Sequence, residues 1–118
     1  AVLPGLFDVA VCNFSLFGER LGPLLAALHA RLAPGGALLV QTLHPANAGN
    51  APGWRTERFA GFATPFPRPM PWYCRDSAQW QALLAAAGFS PVTLHDVRAA
   101  DGNRPLSLLI RAGRLVAR

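Results

Sequence analysis

The sequence contains no lysine, and its 11 basic residues, all arginines, outnumber six acidic residues to give a net charge of +5. A basic protein of this kind can contact anions nonspecifically. Nucleic-acid binding modules, however, cluster their basic residues on one face. Here the arginines are scattered, apart from Arg111, Arg114 and Arg118 near the end, and no basic stripe alternates with aromatic rings. The composition therefore disfavours a nucleic-acid substrate.

Cysteine is scarce and long apolar runs are missing. Cys12 and Cys74 are far apart in sequence and form no C-x-x-C pair, which disfavours a disulfide framework or a bound metal. No segment approaches the roughly 20 apolar residues that a membrane helix needs, and no signal-peptide pattern opens the chain. With 118 residues, 52% of them hydrophobic, the chain is predicted to form one domain over 1–118, with no metal, no membrane segment and a cytoplasmic location.

One segment has the pattern of a strand, a helix and a second strand. Near-continuous apolar runs predict strands at 6–16 and 37–43 that are buried on both faces of a parallel sheet. Between them, leucines recur at helical spacing over residues 19–33. Pro23 suits a first helical turn, and the Pro-Gly-Gly turn at 34–36 cannot continue a helix. A right-handed crossover between parallel strands is therefore expected. The leucines predicted to face inward are Leu21, Leu24, Leu25, Leu28 and Leu32.

Residues 46–73 form a long connection with five prolines and no hydrophobic periodicity. Connections longer than about 15 residues in a compact domain are usually functional or disordered, and the many aromatic residues argue against disorder. We expect a lid over a pocket for an apolar or aromatic small molecule, with Trp54, Trp72 and Tyr73 contacting that molecule. The alternative is that these rings only cover the edge of the sheet.

The last third of the chain predicts a helix and a hairpin. Asp76 or Ser77 can cap a helix over 77–87, and glycine follows it at the position of a left-handed helix end. Two further strands, at 91–99 and 106–112, flank a turn and should pair antiparallel.

Three short motifs of this chain match one known family in their order and spacing. They are Phe7-Asp8-Val9-Ala10-Val11-Cys12-Asn13, Leu32-Ala33-Pro34-Gly35-Gly36 and Ala87-Gly88-Phe89. Together they resemble the C-terminal half of class I S-adenosylmethionine-dependent methyltransferases of the type 11 and type 12 kind, with Ala33 where that family usually has lysine. The resemblance implies an α/β, Rossmann-like sheet of parallel strands with a final antiparallel hairpin, in the order four, five, seven, six. A dinucleotide-binding Rossmann domain would more often finish with parallel strands.

The resemblance implies S-adenosylmethionine as cofactor and locates its binding residues. Asn13, Phe14 and Ser15 follow the first strand, and ligands of open α/β sheets collect at the carboxyl ends of strands. In the family this loop lines the methionine end of the cofactor. The alternative is that Phe14 is a hydrophobic residue at the edge of the core and that Asn13 or Ser15 caps the next helix.

A histidine follows the second strand at the same edge. Neutral His44 could accept a proton from the acceptor as the methyl group arrives. Many methyl transfers need no base, since the enzyme mainly aligns the nucleophile with the methyl carbon. A hydrogen-bonded, structural His44 before a proline turn is the alternative.

The glycine-rich turn that binds the cofactor in this family is missing. No G-x-G-x-G pattern occurs anywhere in the sequence. We therefore expect the chain to be the C-terminal half of a domain that methylates a small molecule. The alternative is a non-catalytic half-domain or partner subunit, which needs another chain to complete its fold. In either case the exposed edge of the sheet is expected to pair with the missing N-terminal half or with a second copy.

Overall fold

The computed structural model describes residues 6–48, 51–57, 70–102 and 105–116. The described part contains six strands, two α-helices and a short 3-10 helix. In chain order these are β1 (Phe7–Asn13), α1 (Gly22–Arg31), β2 (Leu32–Leu43), the 3-10 helix (Pro45–Ala48), β3 (Gly53–Glu57), β4 (Met70–Cys74), α2 (Ser77–Ala86), β5 (Val92–Arg98) and β6 (Pro105–Gly113). None of the helices in these ranges has the length and apolar character needed to cross a membrane.

The main sheet has four strands in the order β1-β2-β6-β5. Strands β1 and β2 are parallel, whereas β6 runs antiparallel to both β2 and β5. The predicted α/β class, the final antiparallel hairpin and the strand order four, five, seven, six are therefore confirmed. The two remaining strands, β3 and β4, pair antiparallel in a separate small sheet.

Both helices pack on the same face of the main sheet. Leu25 of α1 and Leu84 of α2 are fully buried in one cluster with Leu38, Val40 and Ile110 of the central strands. This arrangement follows from the chain connections. The connection from β1 to β2 contains α1, the connection from β2 to β5 contains α2, and both move across the sheet in the same direction. Connections of the same hand then place their helices on the same face.

The prediction that both faces are buried is wrong for β1. Val9 and Val11 are 53% and 67% exposed, whereas the alternate residues Ala10 and Cys12 pack against the core. An apolar run in a strand sends alternate side chains to opposite faces, and among the described elements helices cover only one of these faces. The described part of the chain thus presents an apolar outer face on its edge strand β1.

Helix α1 is shorter than predicted at both ends, and its first residue has no side-chain cap. Pro23 lies in its first turn, as expected. Leu24 is 46% exposed, so the predicted inward face was wrong at this residue. At the other end, the Arg114 guanidinium donates hydrogen bonds to the carbonyls of His29, Ala30 and Leu32, and these bonds satisfy acceptors that a helix end leaves free.

The turn after α1 requires glycine. Gly35 has a φ of +84°, and a Cβ on Gly36 would lie 2.9 Å from the carbonyl oxygens of Ala33 and Asp8. Strand β2 begins at Leu32, five residues earlier than predicted, because Leu32 already pairs with Phe7 before a register shift.

Helix α2 has the expected ends. Asp76 accepts a hydrogen bond from the Gln79 backbone N–H at 2.8 Å, and the Gln79 side chain accepts one from Asp76 N–H at 3.0 Å. This reciprocal pair is a capping box. Gly88 follows the helix with a φ of +103°, which only glycine adopts readily.

The connection predicted at 46–73 is not a plain loop. The 3-10 helix, β3 and β4 lie within it, while residues 49–50 and 58–69 are outside the described ranges. In β4, Trp72 and Cys74 are buried while Tyr73 between them is half-buried, which is the alternation of a strand. The prolines masked this pattern, yet Pro71 fits here because a two-stranded sheet consists of edge strands, which tolerate proline.

Candidate functional site

The three residues predicted to bind the cofactor lie at the carboxyl edge of β1 and β2. Asn13 pairs with Gln41 of the parallel neighbour, and the Phe14 N–H donates a hydrogen bond of 2.7 Å to the Gln41 carbonyl. Ser15 follows, exposed, with its hydroxyl bonded to the Cys12 thiol. Burial raises the pKa of that thiol, and the Ser15 bond offsets part of the rise. Helix α1 starts only at Gly22 without a side-chain cap, so the alternative that Asn13 or Ser15 caps it is wrong.

Phe14 has an unusual backbone. Its φ is +49°, in the left-handed region, which costs a residue other than glycine roughly 1–2 kcal/mol. The residue is nevertheless 42% exposed, so core packing does not explain the conformation. Such strain is found at binding sites, where it holds a side chain in a required orientation. The loop that holds Phe14 is fixed on both sides, by the hydrogen bond to Gln41 and by Leu16, which is 4% exposed.

His44 follows β2 at the same edge, and both of its ring nitrogens are occupied. Nδ1 accepts a hydrogen bond from the Ala46 N–H at 3.0 Å, and Nε2 lies 2.7 Å from Asp96 Oδ1. Because a backbone N–H can only donate, Nδ1 carries no proton and Nε2 donates to the carboxylate. A general base needs a free nitrogen lone pair. The predicted base role therefore requires the Ala46 bond to open, and the geometry favours the structural alternative.

Asp96 links His44 to the end of the hairpin. Its second oxygen, Oδ2, accepts a hydrogen bond of 2.9 Å from Arg98. The hydrogen bond from His44 is the main cause that lowers the pKa of Asp96, although burial opposes it, and Arg98 adds to the lowering through its charge and its own hydrogen bond. Close by, Gln41 Nε2 donates to Ser107 Oγ at 2.9 Å. Two side-chain hydrogen bonds, from His44 to Asp96 and from Gln41 to Ser107, therefore join the end of β2 to the hairpin.

These partners were missed in the sequence. Asp96, Arg98 and Ser107 lie on the hairpin, more than 50 residues from His44 in the numbering. The antiparallel register brings them close, since Leu43 pairs with Ser107. The signal that could have found them is the direction of the hairpin, which places the end of β5 and the start of β6 beside the carboxyl end of β2.

Two of the three residues predicted to contact the acceptor lie together. Trp54 of β3 pairs directly with Tyr73 of β4, and their rings meet edge to face with centroids 5.5 Å apart. Trp54 is 53% exposed, whereas Trp72 on the opposite face of the strand is only 4% exposed. The Tyr73 N–H donates a hydrogen bond of 2.8 Å to the Phe17 carbonyl. The small sheet is thus fastened to the loop that carries Phe14.

Arg75, which the sequence did not single out, is buried directly after β4. Its guanidinium carbon lies 4.8 Å from the centre of the Tyr73 ring and 5.3 Å from that of Trp80. Nη2 donates a hydrogen bond to the Glu19 carbonyl. Burial lowers the pKa of this guanidinium, and the nearby Tyr73, Glu19 and Cys74 partly offset that effect. Arginine nevertheless stays charged in proteins.

Within the described ranges, no three His, Cys, Asp or Glu side chains come close enough to hold a metal ion. Cys12 and Cys74 are free thiols.

Comparison with known proteins identifies the fold. No protein-family model matches the sequence, and no curated protein matches it significantly. An S-adenosylmethionine dependent methyltransferase from Mesorhizobium loti matches over 95% of this chain, with a TM-score of 0.71 and 22% identity. A SAM-dependent methyltransferase from Methanosarcina mazei matches over 98%, with a TM-score of 0.63 and 15% identity. The chain has the methyltransferase fold.

A third match carries ligands. It is 1,6-didemethyltoxoflavin-N1-methyltransferase from Burkholderia thailandensis, with 1,6-didemethyltoxoflavin and S-adenosylhomocysteine bound, and it matches over 96% of this chain with a TM-score of 0.64 and 22% identity. This chain spans 64%, 64% and 47% of the lengths of the three matching methyltransferases, in the order given. It therefore matches only a part of each of them.

Proposed function

We propose that the chain is the C-terminal part of an S-adenosylmethionine-dependent enzyme that methylates a small molecule. The observation that carries the proposal is the Phe14 loop, a strained and exposed segment at the carboxyl edge of β1 in a sheet of methyltransferase topology. The ligand-bound Burkholderia enzyme, which shares the fold, supports this reading. A single domain and a cytoplasmic location, both expected from the sequence, belong to the same proposal.

The cofactor would lie against Asn13, Phe14 and Ser15. The exposed Phe14 ring offers an apolar surface, and the exposed side chains on either side of it offer an amide and a hydroxyl. This mixture fits a molecule in which apolar methylene groups lie between charged groups. The cofactor, when bound, supplies a methyl group already activated by a sulfonium. The task of the protein is therefore to align the acceptor with that methyl group.

The acceptor would lie on the side of the small sheet. Trp54 and Tyr73 form an edge-to-face pair with exposed surface, which suits an apolar or aromatic molecule. The hydrogen bond from Tyr73 to Phe17 joins this surface to the cofactor loop. Trp72 belongs to the inner face and would support the surface from behind. His44 would position the 3-10 helix and β5 through its two hydrogen bonds.

The outer face of β1 favours a second candidate function. Leu6, Val9 and Val11 are each more than half exposed, and an apolar groove runs between β1 and α1, lined by Phe7, Leu28 and neighbouring residues. Exposed apolar strands at a sheet edge are docking or association sites. We propose that the N-terminal half of the same protein, or a second copy, covers this face. A non-catalytic half-domain that completes its fold with another chain would use the same surface.

Calorimetric titration of S-adenosylmethionine tests the proposed function. The protein from the complete reading frame should bind it, whereas the 118-residue chain alone should bind it weakly or not at all. Phe14→Asp places a carboxylate on the cofactor surface and should weaken binding more than tenfold, or about 1.4 kcal/mol. Leu24→Asp is the matched control, since Leu24 is also an exposed apolar residue, 46% accessible, but lies on α1. Equal affinities of the two variants would contradict the assignment.

A further inference from the structure

The guanidinium of Arg75 has one nitrogen whose hydrogen-bonding capacity is unused. The residue is only 6% exposed, and Nη1 is buried with no hydrogen-bond partner among the described residues. No carboxylate among the described residues forms a salt bridge with Arg75. A buried donor without a partner is costly, and a charged one more so. Natural proteins keep such groups where a ligand, ion or water completes them.

The surroundings of Arg75 restrict what can complete it. The Tyr73 and Trp80 rings lie against the guanidinium, and Nη2 is engaged with the Glu19 carbonyl. A new partner must therefore approach Nη1 from the side that these three groups leave open. A carboxylate matches this geometry because its oxygens lie in one plane and accept hydrogen bonds from adjacent N–H groups of arginine.

We propose that Arg75 binds a carboxylate of the methyl acceptor, while the ring of that acceptor packs against Tyr73 and Trp54. The inference rests on the proposed function and names its substrate class as aromatic carboxylic acids. Tyr73 joins the two parts of the site, with its ring centre 4.8 Å from the guanidinium carbon and 5.5 Å from the Trp54 ring centre. A single aromatic acid is long enough to bridge such distances.

Entry of the acceptor requires a side chain to move. Nη1 has no contact with solvent in this conformation. Of the two rings against the guanidinium, Trp80 is 2% exposed and belongs to the core, whereas Tyr73 is half-buried on the small sheet. Tyr73 is therefore the ring that must shift to uncover Nη1, and in its shifted position it flanks the ring of the acceptor. The Tyr73 backbone is hydrogen-bonded to Phe17, and the Arg75 side chain is hydrogen-bonded to Glu19. Binding of the acceptor at Arg75 therefore also affects the loop that carries Phe14.

Titration of the 118-residue chain with benzoate and with benzamide tests this site. The two probes have the same shape, but only benzoate is an anion. Tryptophan fluorescence should report saturable benzoate binding, at least tenfold tighter than benzamide binding. Arg75→Gln should remove this preference, and Arg75→Lys should weaken benzoate at least tenfold because lysine lacks the planar fork. Arg111→Gln, which removes an exposed arginine of β6, is the control and should bind benzoate as the unaltered chain does.

Equal binding of benzoate and benzamide by the unaltered chain would overturn the proposal, whatever the variants do. Glu19→Gln tests the competing explanation that the Glu19 carboxylate turns inward and serves as the partner. If this variant loses as much thermal stability as Arg75→Gln in the absence of any probe, the partner is internal and the proposal is wrong. These titrations contain no S-adenosylmethionine, so their outcome is distinct from a failure of the proposed function in calorimetry.

Discussion

Substitution of His44 by asparagine or glutamine separates the two hydrogen bonds of the imidazole. Asparagine keeps an acceptor near the position of Nδ1 and can retain the Ala46 bond, whereas glutamine keeps a donor near the position of Nε2 and can retain the Asp96 bond. A hydrogen bond to a charged group contributes about 1.5–3 kcal/mol when buried. Asp96 has a side chain that is 39% exposed, so solvent screening reduces this contribution to about 1 kcal/mol.

The Ala46 bond is neutral and contributes about 1 kcal/mol. We therefore expect His44→Asn to lower the free energy of unfolding by about 1 kcal/mol and His44→Ala by about 2–3 kcal/mol, since alanine also leaves the Ala46 N–H without its acceptor. Urea denaturation at pH 7 measures both values. A loss below about 0.5 kcal/mol for His44→Ala would refute the assignment of both bonds.

The same variants have a defined pH dependence. The hydrogen bond from His44 is the main cause of the lowered pKa of Asp96 in the folded chain. Its stabilising contribution is complete above the carboxyl pKa of the unfolded chain, about 3.9, and disappears as the pH falls through the lower folded value. The stability difference between the unaltered chain and His44→Ala should therefore narrow below about pH 4. A constant difference down to pH 2 would show that Asp96 is not the partner. If His44 were instead a general base, His44→Asn in the complete enzyme would lower kcat by about a hundredfold or more while stability changed little.

Two further predictions concern the acceptor side and the outer face of β1. Tyr73→Ala in the complete enzyme should lower kcat/KM for the acceptor roughly tenfold, about 1.4 kcal/mol, with cofactor affinity unchanged. Trp72→Ala should mainly lower the melting temperature, because Trp72 is only 4% exposed. The reverse pattern would show that Trp72 contacts the acceptor and that Tyr73 is structural. Sedimentation of the 118-residue chain should show concentration-dependent association that Val11→Ser reduces. Val116→Ser, at a residue equally exposed but outside the sheet, is the control, and a strictly monomeric unaltered chain would contradict the role of the outer face.

Much of the fold could be predicted because local signals agreed with the global topology. The Pro-Gly-Gly segment at 34–36 correctly predicted that the chain leaves α1 and returns as a strand, and Gly36 is required there by the close approach of the Asp8 carbonyl. Asp76 and Gly88 limit α2 through their own side-chain and backbone chemistry. Such signals act over a few residues, so a single sequence reveals them.

The remaining features depend on contacts between distant residues. Val11 is equally apolar whether its face of the sheet is covered or open. Its exposure therefore depends on where the helices pack, which a single sequence does not reveal. The bond between His44 and Asp96 spans 52 residues of sequence and exists only because the hairpin has one particular register. Arg75 occupies a position that reads as an ordinary residue before a helix cap, and only the packing of two rings against it reveals its burial.

Hydrogen–deuterium exchange of the complete protein, with and without S-adenosylhomocysteine, tests most directly whether the carboxyl edge of β1 binds the cofactor. Peptides that contain residues 13–17 should exchange more slowly when the ligand is present, because the Phe14 loop then lies beneath it. Peptides that contain residues 111–116, which lie beside the start of β2 at the opposite end of the sheet, should be unchanged and serve as the internal reference. Protection confined to other parts of the protein, with residues 13–17 exchanging as before, would contradict the assignment of the cofactor site.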